Sequence, residues 1–212
     1  MSNQDPRIDV VAGTVNTWIV GDDSDVIVID PGEDAAAVLA AVAEREVLAV
    51  ICTHGHARHI AAALEVADPD EAPVALHPFE RSAWRKVHDS PAEIEMEDDG
   101  RFEVAGVALE VVHAPGHSRG SVLLYSEDLG VAFTGDVVSS TGPVPHEDGY
   151  PNWARQVDAI SAHVLTLPPE TRLLPGHGEE LTAGDAEKLF DSWVAAGQLP
   201  VDGAGAEDDR EA

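Results

Sequence analysis

Val47-Leu48-Ala49-Val50-Ile51-Cys52-Thr53-His54-Gly55-His56-Ala57-Arg58-His59 is an apolar, β-branched run that opens without a break into three histidines. Residues 47–53 have the length and composition of a buried strand. Residues 60–66 then continue as a helix. The histidines therefore fall on a loop that leaves a strand and enters a helix, where a rigid scaffold presents functional groups. His54 and His56, two apart on extended backbone, can point to one side and share one ion. His59, near the helix start, can turn toward a neighbouring site.

Three further segments repeat the design of an apolar strand ending in a polar ligand type: Ala114-Pro115-Gly116-His117-Ser118, Phe133-Thr134-Gly135-Asp136 and Leu174-Pro175-Gly176-His177-Gly178. Imidazole nitrogen and carboxylate oxygen suit zinc, and iron nearly as well. Glycine beside each ligand lets the backbone turn sharply. The candidate metal ligands are His54, His56, His117 and Asp136, with His59 and His177 beside them.

Elsewhere, strand-like runs occupy 15–20, 26–30, 74–76, 101–104, 107–112, 121–125, 131–134 and 172–174. Helical composition covers 35–43, 79–87, 153–167 and 183–196, the last capped by Thr182. Residues 93–100 read as an acidic connector and 139–151 as a Gly/Pro-rich loop. The order β-rich, helix, β-rich, helix suits two packed sheets with helices outside. The expected organisation is one domain over 1–197 and an acidic, disordered tail over 198–212.

Twelve basic residues against 40 acidic ones leave a net charge of −28. A field of that sign repels phosphate backbones and anionic bilayers, which argues against nucleic acid and membrane partners and leaves a small-molecule substrate. The excess is spread along the chain: residues 198–212 hold five acids and one base, so the remainder still carries −24. Such repulsion is screened in molar salt, where the Debye length is about 3 Å. A salt-adapted cytoplasm is the preferred origin, with an ordinary acidic bacterial protein as the alternative. There is no apolar run of signal-peptide length at the N-terminus and none approaching the ~20 residues of a membrane span, so the expected location is the cytoplasm. The single cysteine, Cys52, reads as a buried strand residue and permits no intrachain disulfide.

The four ligand-bearing segments resemble the metallo-β-lactamase superfamily, whose leading motif is H-x-H-x-D-H. The likeness covers nearly all of residues 8–197, including the Asp30-Pro31-Gly32 turn. It implies an α+β fold, a four-layer αββα sandwich with metal at one edge of the two sheets. By position, His54, His56 and His117 resemble the first metal's histidines, Asp136 the bridging carboxylate, and His59 and His177 the second metal's histidines. Asp136 and His177 are also the candidate catalytic residues. The implied cofactor is zinc, one or two ions, with iron as the alternative.

One position departs, because Arg58 stands where the family has Asp. A guanidinium stays protonated and cannot ligate a metal. On one reading it swings outward and leaves a weakened second site. On the other it replaces the second cation electrostatically, pairing with Asp136 or holding an anionic substrate.

Among members, the Pro-Gly-His-Ser segment and the short loops are most similar to glyoxalase II-like (hydroxyacylglutathione hydrolase-like) thioesterases and persulfide dioxygenases. The first likeness implies hydrolysis of thioesters or related esters, since zinc with an open position lowers the pKa of coordinated water to about 7. Only 76 residues follow Asp136, and the last 15 read as disordered. The helical domain by which glyoxalase II-like enzymes grip glutathione is then missing or shortened, which leaves another thiol, a lactone or a different ester. The second likeness implies one iron, held at positions matching His54, His117 and Asp136. A third reading is a non-catalytic metal-binding member.

Among the remaining residues, Asp30 is expected to orient a metal-binding histidine rather than bind metal. Ser118 is no nucleophile, since metal supplies hydroxide. His113 and His146 can line the pocket or serve structurally. His77, His88 and His163 read as surface residues.

Overall fold

The computed structural model describes residues 5–145 and 152–197. In it the run that opened the sequence reading is β4 (Glu46–Ile51), covered on both faces. Val47 and Val50, with Cys52 just beyond the strand, belong to one apolar cluster, while Ala49 and Ile51 belong to another. The exposed Leu48 is the extra residue of a bulge against the neighbouring strand β3 (Asp25–Ile29).

The first sheet runs in the order β1 (Arg7–Val11), β2 (Thr17–Gly21), β3, β4, β5 (Val74–Leu76) and β6 (Ile94–Glu95). Its first two pairings are antiparallel and the remaining three parallel. The second sheet runs β7 (Arg101–Val104), β8 (Val107–His113), β9 (Val122–Ser126), β10 (Val131–Gly135), β11 (Arg172–Pro175) and β12 (Leu181–Thr182). It is antiparallel except where β10 meets β11.

The sheets pack face to face through alternate residues of each strand. Trp18, Ile27, Ile29 and Ile51 of the first meet Leu109, Leu124, Phe133 and Leu174 of the second, with Trp18 edge-on to Phe133 at 6.1 Å. The opposite face of the first sheet buries Ile19, Val26, Val28 and Val50 against α1 (Ala35–Val42), α2 (Ala57–Ile60), α3 (Ala63–Ala67) and α4 (Arg81–Trp84). The opposite face of the second buries Leu123, Ala132 and Leu173 against α5 (Trp153–Ala159), the π-helical turn that follows it (Ile160–Val164) and α6 (Ala183–Gly197). Four layers, αββα, result.

Three strands go beyond the sequence reading. β1 alternates charged and apolar residues, β12 has only two residues, and β6 interrupts the expected acidic connector. The helix expected over 79–87 is shorter: Pro78–Glu80 form a 3-10 turn and only Arg81–Trp84 are α-helical. That expected over 60–66 is two short helices. Residues 198–212, expected as a tail, and His146 lie outside the described residues.

Candidate metal centre

The C-terminal ends of β4, β8, β10 and β11 feed the four loops singled out in the sequence, and these loops converge. Ligand atoms of His54, His56, His117 and Asp136 all lie within 4.8 Å of one another, as do those of His59, Asp136 and His177. Asp136 is the hub. Its Oδ2 has the Nε2 atoms of His54, His59, His117 and His177 at 3.7, 3.4, 3.5 and 3.4 Å. His56 Nδ1 faces His117 Nε2 at 3.1 Å, and His59 Nε2 faces His177 Nε2 at 3.3 Å. The site lines a cavity of about 300 Å³ with Ala57, Arg58, Val144 and Pro145.

The loops are tied to the sheets by hydrogen bonds that fix which imidazole nitrogen looks inward. Thr53 Oγ1 donates to Asp30 Oδ2 (2.7 Å), so its oxygen is left to accept from His54 Nδ1 at 3.1 Å. The lone pair of His54 is then on Nε2, aimed at Asp136. Asp30 also takes the Thr53 N–H (2.8 Å) and His59 Nδ1 (2.9 Å). His117 Nδ1 donates to the Val144 carbonyl at 2.9 Å, which again frees Nε2. A histidine that donates from one nitrogen to an oxygen is held in the tautomer that can ligate from the other. The orienting role expected of Asp30 thus has a geometry, with His59 as the histidine concerned.

Gly135, just before Asp136, adopts φ +47°, and a Cβ there would sit 2.4 Å from Thr53 Oγ1. Only glycine allows β10 to end against β4 this closely.

Burial alone would keep His59 neutral, but the carboxylates of Asp30 and Asp136 overcome it, and its pKa is pushed up to about 10. His54, buried and beside that cationic ring, is pushed well below the usual histidine range. Burial acts to raise the pKa of Asp136, yet the imidazoles of His177 and His59 hold it below the carboxylate range. Two buried atoms, His54 Nε2 and Asp136 Oδ1, have no hydrogen-bond partner among the described residues. Leaving such atoms unsatisfied costs about 1–3 kcal/mol each. A set of inward nitrogen lone pairs around an ionised carboxylate, with two buried atoms unpartnered, fits a divalent cation.

Other expectations need correction. His77 is buried rather than at the surface. It stacks on His113 at 4.4 Å with nearly parallel rings, which draws His113 away from the metal cavity. His88 is half-buried, its Nε2 2.8 Å from the Ile60 carbonyl, and His163 is half-buried as well. Arg58 is exposed on α2 and lines the cavity beside His59.

Several residues that shape the site gave no signal in the sequence. Asn16 donates from its side chain to the carbonyls of Pro175 and Gly178 (3.1 and 2.9 Å), securing the His177 loop. The fully buried Gln156 donates to Val137 and Val144 carbonyls at 3.0 and 3.1 Å, joining the Asp136 loop to the carbonyl that orients His117. Glu80 is buried between two ligand loops. A buried glutamate just before a helix in the segment His77-Pro78-Phe79-Glu80 has no periodicity to mark it.

The sequence profile of the metallo-beta-lactamase superfamily matches residues 10–202. A probable metallo-hydrolase of Bacillus subtilis is 30% identical over 181 residues, covering 78% of this chain and 85% of the relative. A hydroxyacylglutathione hydrolase of Roseobacter denitrificans is 31% identical over 157 residues, covering 72% of this chain and 57% of the relative. Among solved structures, the B3 metallo-beta-lactamase BLEG-1 gives a TM-score of 0.76 at 27% identity, with 87% and 97% of the two chains covered. TTHA1623, solved in a di-iron-bound form, gives 0.71 at 26% identity, with 86% and 97% covered. A match of that extent on this fold makes the chain a member of the metallo-β-lactamase superfamily, and a metallo-hydrolase within it.

Proposed function

We propose that this metallo-hydrolase cleaves small thioesters or related esters. The observation that carries the reading is the convergence of four imidazole nitrogens on one oxygen of Asp136 while its other oxygen is buried and unpartnered. His54, His56, His117 and Asp136 would hold one divalent cation. His59, His177 and Asp136 would hold a second, more weakly, because Arg58 brings a positive charge to that side. When bound, a zinc ion supplies a Lewis acid and makes water nucleophilic near neutral pH.

The chain's own residues do the rest. Asp136, ionised and locked by its imidazole neighbours, would help hold the cation and orients the attacking water. Where the second cation is absent, His177, half-buried at the cavity mouth, is placed to pass a proton toward the leaving group; where it is bound, His177 would be a ligand and solvent supplies that proton. A thiolate leaving group needs little such help, since its conjugate acid ionises near pH 8.5. The cavity, about 300 Å³, is at the lower end for ligand sites, which favours a compact acyl group over a large conjugate. The likeness to a hydroxyacylglutathione hydrolase supports thioesters as a class; the 57% of that relative covered here leaves glutathione itself unsupported.

The test is a panel of short-chain acyl thioesters and esters with enzyme purified without added metal. Zinc in the purified protein, hydrolysis lost on chelation and restored by zinc are the expected results. One iron per chain, with oxygen consumed on a persulfide and no ester cleaved, would replace this reading with a dioxygenase.

A further inference from the structure

We infer that Glu80 is the positioning residue of the three-histidine group. It sets the spacing between the His54-Gly55-His56 loop and the His117 loop, and through that spacing the metal affinity, without itself touching metal or substrate. The inference rests on the reading above, that His54, His56 and His117 share a cation.

Glu80 is 4% exposed, yet it is an acid and lies just before α4, on the outer layer of the sandwich. Its two carboxylate oxygens are divided between two loops. Oε2 accepts the N–H of Gly55 at 2.9 Å, and Oε1 accepts the N–H of Gly120 at 2.6 Å. Gly55 is the residue between His54 and His56. Gly120 closes the turn that begins at His117, and the next residue, Ser121, returns its carbonyl to Ala114 N at 2.8 Å. One side chain therefore spans loops from different sheets. The approach is close on both sides: a Cβ at Gly55 would lie 2.7 Å from Glu80 Oε2, and one at Gly120 would lie 2.8 Å from Glu80 Cγ.

The carboxylate is itself held. His77 Nδ1 accepts the Phe79 N–H at 3.2 Å and so closes the 3-10 turn that carries Glu80, while the His77 ring stacks on His113 at the end of β8. A carboxylate is the group that can accept from two separate amides at once with charge-assisted bonds. Glutamine has one acceptor oxygen, and its NH₂ would face an N–H. Partners that hydrogen-bond the ligands themselves are worth about 10–100-fold in metal affinity, and a carboxylate acting one step further out, through the amides of Gly55 and Gly120, is expected near the lower end of that range.

The experiment uses the full chain loaded with cobalt(II), comparing Glu80→Gln with the parent. A core variant outside the site, Val74→Ala, serves as the control for lost stability. Glu80→Gln should weaken cobalt binding about tenfold or more in chelator competition and change the visible ligand-field spectrum. Val74→Ala should lower the thermal midpoint while leaving both unchanged. In the parent, the Gly55 and Gly120 amide protons should be far downfield and slow to exchange, a readout that stands even if Glu80→Gln does not fold. Parental affinity and spectrum in Glu80→Gln, equal loss of affinity in Val74→Ala, or fast exchange at both amides each overturns the inference. Failure of the parent to bind cobalt at all would instead sink the proposed function.

Discussion

His59 Nδ1 stands 2.9 Å from Asp30 Oδ2, both side chains being buried. In the metal-free protein this pairing, with Asp136 at the other ring nitrogen, holds His59 protonated, its pKa pushed up to about 10 against the penalty of burial. A group whose folded pKa is raised contributes stability that is complete below its unfolded value, about 6.5, and is lost as pH rises through the folded value. Metal-free protein should therefore lose thermal stability between about pH 6.5 and 10. Zinc-loaded protein, whose ligating ring carries no proton on Nε2, should not show this component. Asp30→Asn should flatten the metal-free profile and cost about 1.5–3 kcal/mol at pH 7, the worth of a hydrogen bond to a charged group. Thermal melts across pH, with and without chelator, check both; identical profiles for the two forms would contradict the assignment.

Metal content should depend on His117 more than on His177. His117 is buried with its Nδ1 committed to the Val144 carbonyl, whereas His177 is half-buried at the mouth beside Arg58. His117→Ala is expected to abolish high-affinity binding, and His177→Ala to leave about one metal per chain by elemental analysis. Equal losses from a parent holding two metals would show that the two groups are of equal strength.

Arg58→Asp should raise zinc occupancy toward two. His59, Asp136 and His177 already have ligand atoms within 4.8 Å of one another, and the substitution changes the charge beside them by two units in the direction that favours a dication. Zinc stoichiometry after dialysis is the measurement. Unchanged occupancy would mean that something other than Arg58 limits the second group.

Stability should rise with salt. At −28, the folded chain concentrates like charges that the unfolded chain spreads out, so dilute buffer favours unfolding. Screening should relieve most of this below about 1 M, where the Debye length reaches roughly 3 Å. Melts with zinc saturating, across KCl from dilute to multimolar, should show a steep early rise and a slower later one. A flat profile with full activity in dilute buffer would mark an ordinary acidic protein.

The ligand loops were legible in the sequence because each joins an apolar strand to a glycine and a metal-binding residue type, a conjunction that needs no knowledge of partners. The two-face burial of β4 was legible for the same reason, as an unbroken apolar run. What supports the ligands was not. Asn16, Glu80 and Gln156 act on residues 159–162, 25–40 and 12–20 positions away, and a polar side chain carries no mark of the carbonyl or amide it will meet. His77 read as a surface residue because its burial comes from stacking on His113, a contact between sheets. β6 was hidden because two residues among acids give no alternation to detect.

The bonds from Asn16 to the backbone around His177 bear on the order in which the molecule can be built. Asn16 N donates to the Gly176 carbonyl at 2.8 Å, and Trp18 Nε1 to that of Pro175 at 3.2 Å, joining β2 to the end of β11. During synthesis the early strands leave the ribosome long before the segment that completes this edge, at roughly 5–20 residues per second. The nascent chain therefore presents His54, His56 and His59 for many seconds without His177, and for several seconds without His117 or Asp136. The wall of the metal cavity that carries His177 is thus the last to be completed, and the bonds of Asn16 and Trp18 wait for it.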